Sequence, residues 1–101
     1  MTRVPALLVL GVVGACSPSQ ALTDRMREIR ETIASADESG ALRCAPRELA
    51  LARSAVEFAK IDEAQGKISR AWAHLAVAEP NAQAALTLSP RDRCLDRVTP
   101  R

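Results

Sequence analysis

Only two aromatic side chains, Phe58 and Trp72, occur in this chain of 101 residues, although hydrophobic residues make up 48% of it. Any core must therefore be built from Ala, Leu, Val and Ile rather than from rings. The strands of sandwiches and barrels are enriched in aromatic and β-branched residues, whereas Ala and Leu are strong helix formers. The composition therefore predicts close-packed helices in one small domain.

Charge and chemistry narrow the possible functions. The chain has 14 Lys and Arg against 12 Asp and Glu, and a single histidine. This balance excludes a strongly basic nucleic-acid arm and an acidic disordered tail. No Gly-rich phosphate loop occurs in the sequence, and no acid, base and nucleophile are spaced for joint action. We therefore expect no catalytic residue, no cofactor, no metal site and no nucleic-acid partner.

The N-terminus has the layout of a secretory signal peptide. Arg3 precedes an apolar run over residues 4–13, and the small residues Gly14 and Ala15 follow it. The run is well short of the ~20 residues that a helix needs to span the hydrocarbon of a bilayer. We therefore expect this segment to be an export signal rather than a membrane-spanning helix.

The four residues Val13-Gly14-Ala15-Cys16 resemble a bacterial lipobox. The resemblance implies that residues 1–15 are removed and that Cys16 carries diacylglycerol and a further acyl chain such as palmitate, which together anchor the mature chain to a membrane. Ser17 stands where an Asp would indicate the inner membrane, so the expected location is the periplasmic face of the outer membrane. Ordinary cleavage after Ala15 and an uncleaved anchor are the alternatives.

Turn signals divide the remaining chain into a tether at residues 16–20, a helical domain at 21–89 and a C-terminal tail at 90–101. The expected fold is all-α, an antiparallel bundle of three helices over about 21–37, 46–64 and 67–88. The Gln65-Gly66 turn makes the last two helices a hairpin, and Pro80 predicts a kink or a break in the third.

Each predicted helix has an apolar face. The first has a narrow stripe with heptad-like spacing, and the second has a face broad enough to contact two neighbours. In the third helix, Ala73, Val77, Ala84 and Leu88 fall off the main apolar face and are expected to be exposed. The main faces comprise Leu22, Met26, Ile29, Ile33 and Ala36; Leu49, Leu51, Ala52, Ala55, Val56, Phe58 and Ala59; and Ile68, Ala71, Trp72, Leu75, Ala78, Ala82 and Leu86.

The cysteine count agrees with export. Lipidation of Cys16 leaves Cys44 and Cys94 as an even pair in an oxidising compartment. Both flank the open end of the predicted hairpin, and a bond between them would close a loop of about 50 residues. The sequence therefore favours a disulfide, with two free thiols as the alternative.

Three further features have a structural and a functional interpretation. We expect His74 to be solvated rather than to bind a metal or to act with Cys44 as a nucleophilic pair. Trp72 fits a core position, and its alternative role is that of an anchor for a partner. The Arg-rich tail, which includes Arg91, Arg93 and Arg97, fits a solvated segment, with contact to lipid phosphates or the cell wall as the alternative.

Two resemblances extend this interpretation. Gly66, Ala71 and Ala78 are spaced as in the helical hairpin of a tetratricopeptide repeat, but only one such unit is present. Residues 21–94 resemble a family of bacterial envelope lipoproteins whose helical domain, of unknown function, precedes an OmpA-like peptidoglycan-binding domain in several members. The likeness is carried by Ser39 to Ala52, Phe58-Ala59, Gln65-Gly66, Ala71 and Asn81-Ala82.

The resemblance implies an envelope lipoprotein. In members with the OmpA-like domain, acidic calcium-binding repeats often occur as well. Residues 1–101 contain neither module, so no peptidoglycan or calcium role is carried over. We expect a non-catalytic tethering protein that contacts an envelope protein through Trp72, Val77, Ala84 and Leu88. The alternative is a structural lipoprotein that forms homo-oligomers through the stripe of the first helix.

Overall fold

The computed structural model describes residues 18–95, of which 87% are helical and none form a strand. The all-α class is thereby confirmed. The described residues form five helices rather than three: α1 (Pro18–Glu38), α2 (Ala41–Cys44), α3 (Pro46–Ala64), α4 (Ile68–Thr87) and α5 (Arg91–Cys94). The predicted signal peptide, Cys16 and tail residues 96–101 lie outside the described residues.

The first helix begins earlier than the sequence predicted. Pro18, Ser19 and Gln20, which were assigned to the tether, form the first turn of α1. Proline is favoured in this position because an amide at a helix start has no intrahelical partner to lose. The Thr23 hydroxyl lies 3.0 Å from the carbonyl oxygen of Ser19 and from Oε2 of Glu63, and can donate its one proton to either of them. Only Ser17 therefore separates the lipobox cysteine from α1.

The second long helix has the predicted bounds, and the third runs without interruption through Pro80. The expected break is therefore absent. Proline at this position leaves the carbonyl of Ala76 without its usual donor. Both residues are exposed, so water can hydrate that carbonyl and the helix continues on its solvent side.

Polar contacts between helices define their directions. The hydroxyl of Thr23, near the start of α1, lies 3.0 Å from Oε2 of Glu63 at the end of α3. At the opposite ends of these helices, Nη2 of Arg53 lies 2.8 Å from Oδ2 of Asp37. α1 and α3 are therefore antiparallel, and the turn after Ala64 makes α4 antiparallel to α3.

The core lies where α1, α3 and α4 meet. Ten of its 17 buried residues are alanines and none is aromatic, so the helix backbones approach one another closely. The stripe predicted on α1 is buried throughout, with Ile29 only 3% exposed. The largest fully buried apolar side chains are Leu22, Leu49, Val56 and Leu75.

The broad face of α3 is narrower than predicted. Phe58 is 54% exposed and Leu51 is 41% exposed, although both were expected in the core. The buried arc is centred on Ala52, Ala55 and Ala59, which face the two neighbouring helices. Phe58 and Leu51 lie at the edge of this arc, beyond the reach of α1.

The predicted disulfide is present. The sulfur atoms of Cys44 and Cys94 are bonded, and their Cα atoms lie 5.7 Å apart. The bond joins α2 to α5, which are the two short helices that the sequence did not predict. Both helices lie at the end of the domain where α1 finishes and α3 begins.

Candidate interaction surface

Exposed apolar side chains follow the outer side of the α3–α4 hairpin. We call this surface the hairpin face and define it by Leu51, Phe58, Val77, Ala84 and Leu88. All of these are exposed except Ala84, which is half-buried. The exposed fractions of Val77 and Leu88 are 48% and 51%. At these exposed fractions, Val77 and Leu88 are surface residues rather than residues at the margin of the core.

Helix geometry places these residues on one surface. Leu51 and Phe58 are seven residues apart, which brings them within about 20° of each other around α3. Ala84 and Leu88 follow Val77 by seven and eleven residues, again within about 20° around α4. Each helix therefore contributes one line of apolar side chains.

A ring contact across the hairpin joins the two lines. The centroids of the Phe58 and His74 rings lie 5.4 Å apart at an interplanar angle of 31°. Val77 lies one turn beyond His74 on α4, a spacing at which helix side chains are neighbours. From the level of this contact to Leu88 the face extends about 20 Å.

The far end of the hairpin face reaches the disulfide. A cleft there is lined by Leu88, Pro90 and Arg93 together with Cys44 and Cys94. The bond between the two cysteines therefore fixes the position of α5 relative to this end of the face. A rigid surface loses less conformational entropy when a partner binds, so the free-energy cost of binding is lower.

The four predicted interaction residues do not form a single site. Val77, Ala84 and Leu88 share one side of α4, whereas Trp72 precedes Val77 by five residues and lies about 140° around the helix. Trp72 is 37% exposed, so it does not occupy the core position that the sequence favoured. Its direction places it on the side of α4 that faces α1, together with Glu79, which pairs with Arg25 at 3.5 Å. Trp72 is therefore not part of the hairpin face.

His74 is not the solvated side chain that the sequence predicted. Its Nδ1 atom lies 2.7 Å from Oδ2 of Asp62, whose residue is only 6% exposed. A carboxylate can only accept hydrogen bonds, so Nδ1 of His74 carries the proton and donates it. The pair satisfies a buried carboxylate and holds the imidazole against Phe58. Its geometry therefore supports the end of the hairpin face at which Phe58 lies.

The structure separates Cys44 from His74, the two residues of the alternative nucleophilic pair. Cys44 is bonded to Cys94 and lies before the start of α3 at Pro46, which is 12 residues, or about 18 Å along the helix, from Phe58. His74 lies beside Phe58. Among residues 18–95, no three His, Cys, Asp or Glu side chains come close enough together to hold a metal ion.

Comparison with known proteins gives no relative for this chain, which matches no protein-family model, no curated protein and no solved structure. Within the described range, no helix combines the length and the apolar character needed to cross a membrane.

Proposed function

We propose that the protein is an outer-membrane lipoprotein, anchored on the periplasmic side by lipid on Cys16, whose helical domain tethers an envelope protein without catalysing a reaction. The hairpin face is the observation that carries this proposal. Exposed apolar side chains that share one side of a helical hairpin favour binding to another protein. Phe58, at one end of this face, is the residue type expected of an anchor because aromatic residues are enriched at binding hot spots.

The sequence supports the anchor and the class of protein. The lipobox-like residues 13–16 supply the acylation site, and the helical domain implied by the resemblance to envelope lipoproteins over residues 21–94 is compatible with the all-α structure of residues 18–95. We include membership of that class in the proposal. The two short helices, α2 and α5, are then additions at the end closed by the disulfide.

The alternative function is self-association as a structural lipoprotein. It was based on the heptad-like stripe of α1, but those residues are buried against α3 and α4. That stripe is therefore not available to a second copy while the domain is folded. Self-association would have to use the hairpin face instead. The photo-crosslinking experiment described next distinguishes the two functions.

Photo-crosslinking in living cells tests the proposal. A photoreactive residue at position 77 is expected to give one discrete adduct with a different envelope protein, identified by mass spectrometry. Ala76 is the matched control position, because it is also exposed but points about 100° away around α4. An adduct of the chain with itself alone supports the structural alternative, and equal labelling from both positions contradicts a specific face.

A further inference from the structure

Covalent geometry sets an upper limit on the distance between a lipid on Cys16 and the start of α1. α1 begins at Pro18, two residues after Cys16. Two extended residues span at most about 7 Å, which is similar to the thickness of one headgroup layer, about 5–7 Å. A lipid on Cys16 therefore holds the first turn of α1 against the membrane surface.

The turn between α3 and α4 lies at the same end of the domain as Pro18. The contact of Thr23 with Glu63 places the first turns of α1 beside the last turn of α3. Gly66 follows almost immediately and is exposed, with nothing within 4 Å of the position that a β-carbon would occupy. We call this the proximal end and define it by Pro18, Gly66, Lys67, Arg70 and Trp72.

The proximal end has exposed basic side chains, which favour contact with anionic lipid. Lys67 and Arg70 are exposed, and no carboxylate of residues 18–95 forms a salt bridge with either. The first turns of α1 and α4 contain no acidic residue. Of the nearby carboxylates, Asp62 is buried and contacts His74, Asp24 forms a salt bridge with Arg27, and Glu63 lies against α1 beside the Thr23 hydroxyl. Basic side chains at a membrane surface are attracted to lipid phosphates.

Trp72 adds the side chain that is typical of membrane interfaces. Its indole is partly exposed and combines an apolar ring with a polar N–H group, a combination enriched at the headgroup level. Helix side chains lean toward the N-terminus of their helix. Because α4 begins at the proximal end, Trp72 leans toward that end.

We infer that the proximal end lies on the membrane surface, with Lys67 and Arg70 at the lipid phosphates and Trp72 among the headgroups. This inference rests on the proposed lipidation of Cys16. It also fixes the orientation of the domain: α1 has 21 residues, so the end closed by the disulfide stands about 30 Å above the surface. The hairpin face then runs outward from the membrane rather than along it.

Fluorescence tests the inference without a label, because Trp72 is the only tryptophan of the chain and there is no tyrosine. The lipidated protein is reconstituted into vesicles of phosphatidylethanolamine and phosphatidylglycerol that carry bromine on acyl carbons near the headgroup. We expect Trp72 to be quenched several-fold more strongly than the tryptophan of the double variant Trp72→Phe/Leu88→Trp, since position 88 lies at the distant end. Equal quenching at the two positions would overturn the inference.

Charge reversal tests the phosphate contacts separately. Lys67→Glu/Arg70→Glu is expected to lower the quenching of Trp72 by about twofold or more in the anionic vesicles, because two attractive charges become repulsive. The matched control is Arg91→Glu/Arg93→Glu, which reverses two exposed charges on α5 and leaves the quenching unchanged. A loss of quenching in both variants, or in neither, contradicts a contact specific to Lys67 and Arg70.

The mass of the N-terminal peptide separates the two proposals. An acylated Cys16 together with weak quenching of Trp72 overturns the inferred orientation and leaves the lipid anchor intact. A Cys16 without acyl chains overturns the anchor, and the orientation that depends on it is lost as well.

Discussion

A β-carbon on Gly40 would overlap the backbone carbonyl of Cys94 and lie 2.8 Å from the β-carbon of that residue. Gly40 also has a φ of 98°, in the left-handed region. The turn after α1 therefore closes on α5 only because residue 40 has no side chain. The cysteine on α5 reaches Cys44 through this close approach.

Substitution of Gly40 is expected to be more costly than the same change in the other turn. Gly66→Ala places a side chain at a φ of 73° with nothing nearby, so it should cost about 1–2 kcal/mol of unfolding free energy. Gly40→Ala adds the overlap with Cys94 and should cost clearly more. Urea denaturation of both variants measures the difference, and equal losses would show that the approach to Cys94 is unimportant.

Removal of the disulfide should destabilise the domain substantially. The bond joins residues 50 positions apart, and the chain-entropy relation gives a stabilisation of about 4 kcal/mol for a loop of that size. Denaturation of the Cys44→Ser/Cys94→Ala variant is compared with that of the oxidised protein. A change of less than about 1 kcal/mol would contradict the chain-entropy relation for this bond.

Loss of the His74 side chain should cost more than loss of an exposed ion pair. His74→Ala leaves the buried Asp62 carboxylate without its donor, which we expect to cost about 1–3 kcal/mol. Arg53→Ala breaks the ion pair with Asp37, whose side chains are both 46% exposed, and should cost about 1 kcal/mol or less. The two unfolding free energies, measured under the same conditions, are expected to fall in this order.

Pro80 should be a site where substitution stabilises the protein. It lies inside α4, and Pro80→Ala restores the amide that the carbonyl of Ala76 lacks, so we expect a gain of about 1–3 kcal/mol. Pro46 stands at the start of α3, where proline is well tolerated, and Pro46→Ala should change the stability by about 0.5 kcal/mol or less. A loss of stability in Pro80→Ala would show that the proline is needed for packing.

Substitutions on the hairpin face should change the free energy of unfolding much less than substitutions in the core. Val77→Ser is expected to change the unfolding free energy by about 0.5 kcal/mol or less because Val77 is already exposed. Leu75→Ala, two residues away but only 2% exposed, should cost about 2–5 kcal/mol. Adduct formation from a photoreactive residue at position 88 should be lost in Val77→Ser although that variant remains folded.

The apolar pattern predicted the long helices better than it predicted their exposed edges. The stripe of α1 is narrow, so its spacing alone identified residues that are all buried, such as Leu22 and Ile33. The face of α3 spans about half a turn, and spacing cannot tell which edge of such a face a neighbour covers. Phe58 was therefore placed in the core although it lies on the hairpin face.

The sequence contains a signal for the contact between Asp62 and His74, but apolar periodicity alone does not detect it. Asp62 lies within about 40° of Phe58 on the wheel of α3, on the edge that turns toward α4. An acidic residue in that position needs a donor, and the single histidine is twelve residues later across the predicted turn. The predicted length of α1 is too short for a different reason, since a proline such as Pro18 is typical of a tether as well as of a helix start.

The two residues of the disulfide differ in their exposure to solvent. Cys44 is an exposed residue, whereas Cys94 is only 3% exposed. Thiol exchange proceeds by attack on a sulfur that the incoming thiolate can reach. A reductase or small thiol would therefore form its mixed disulfide with Cys44 and release Cys94 as the leaving group. The released thiol would remain inside the fold, in place to expel the attacking group and close the bond again.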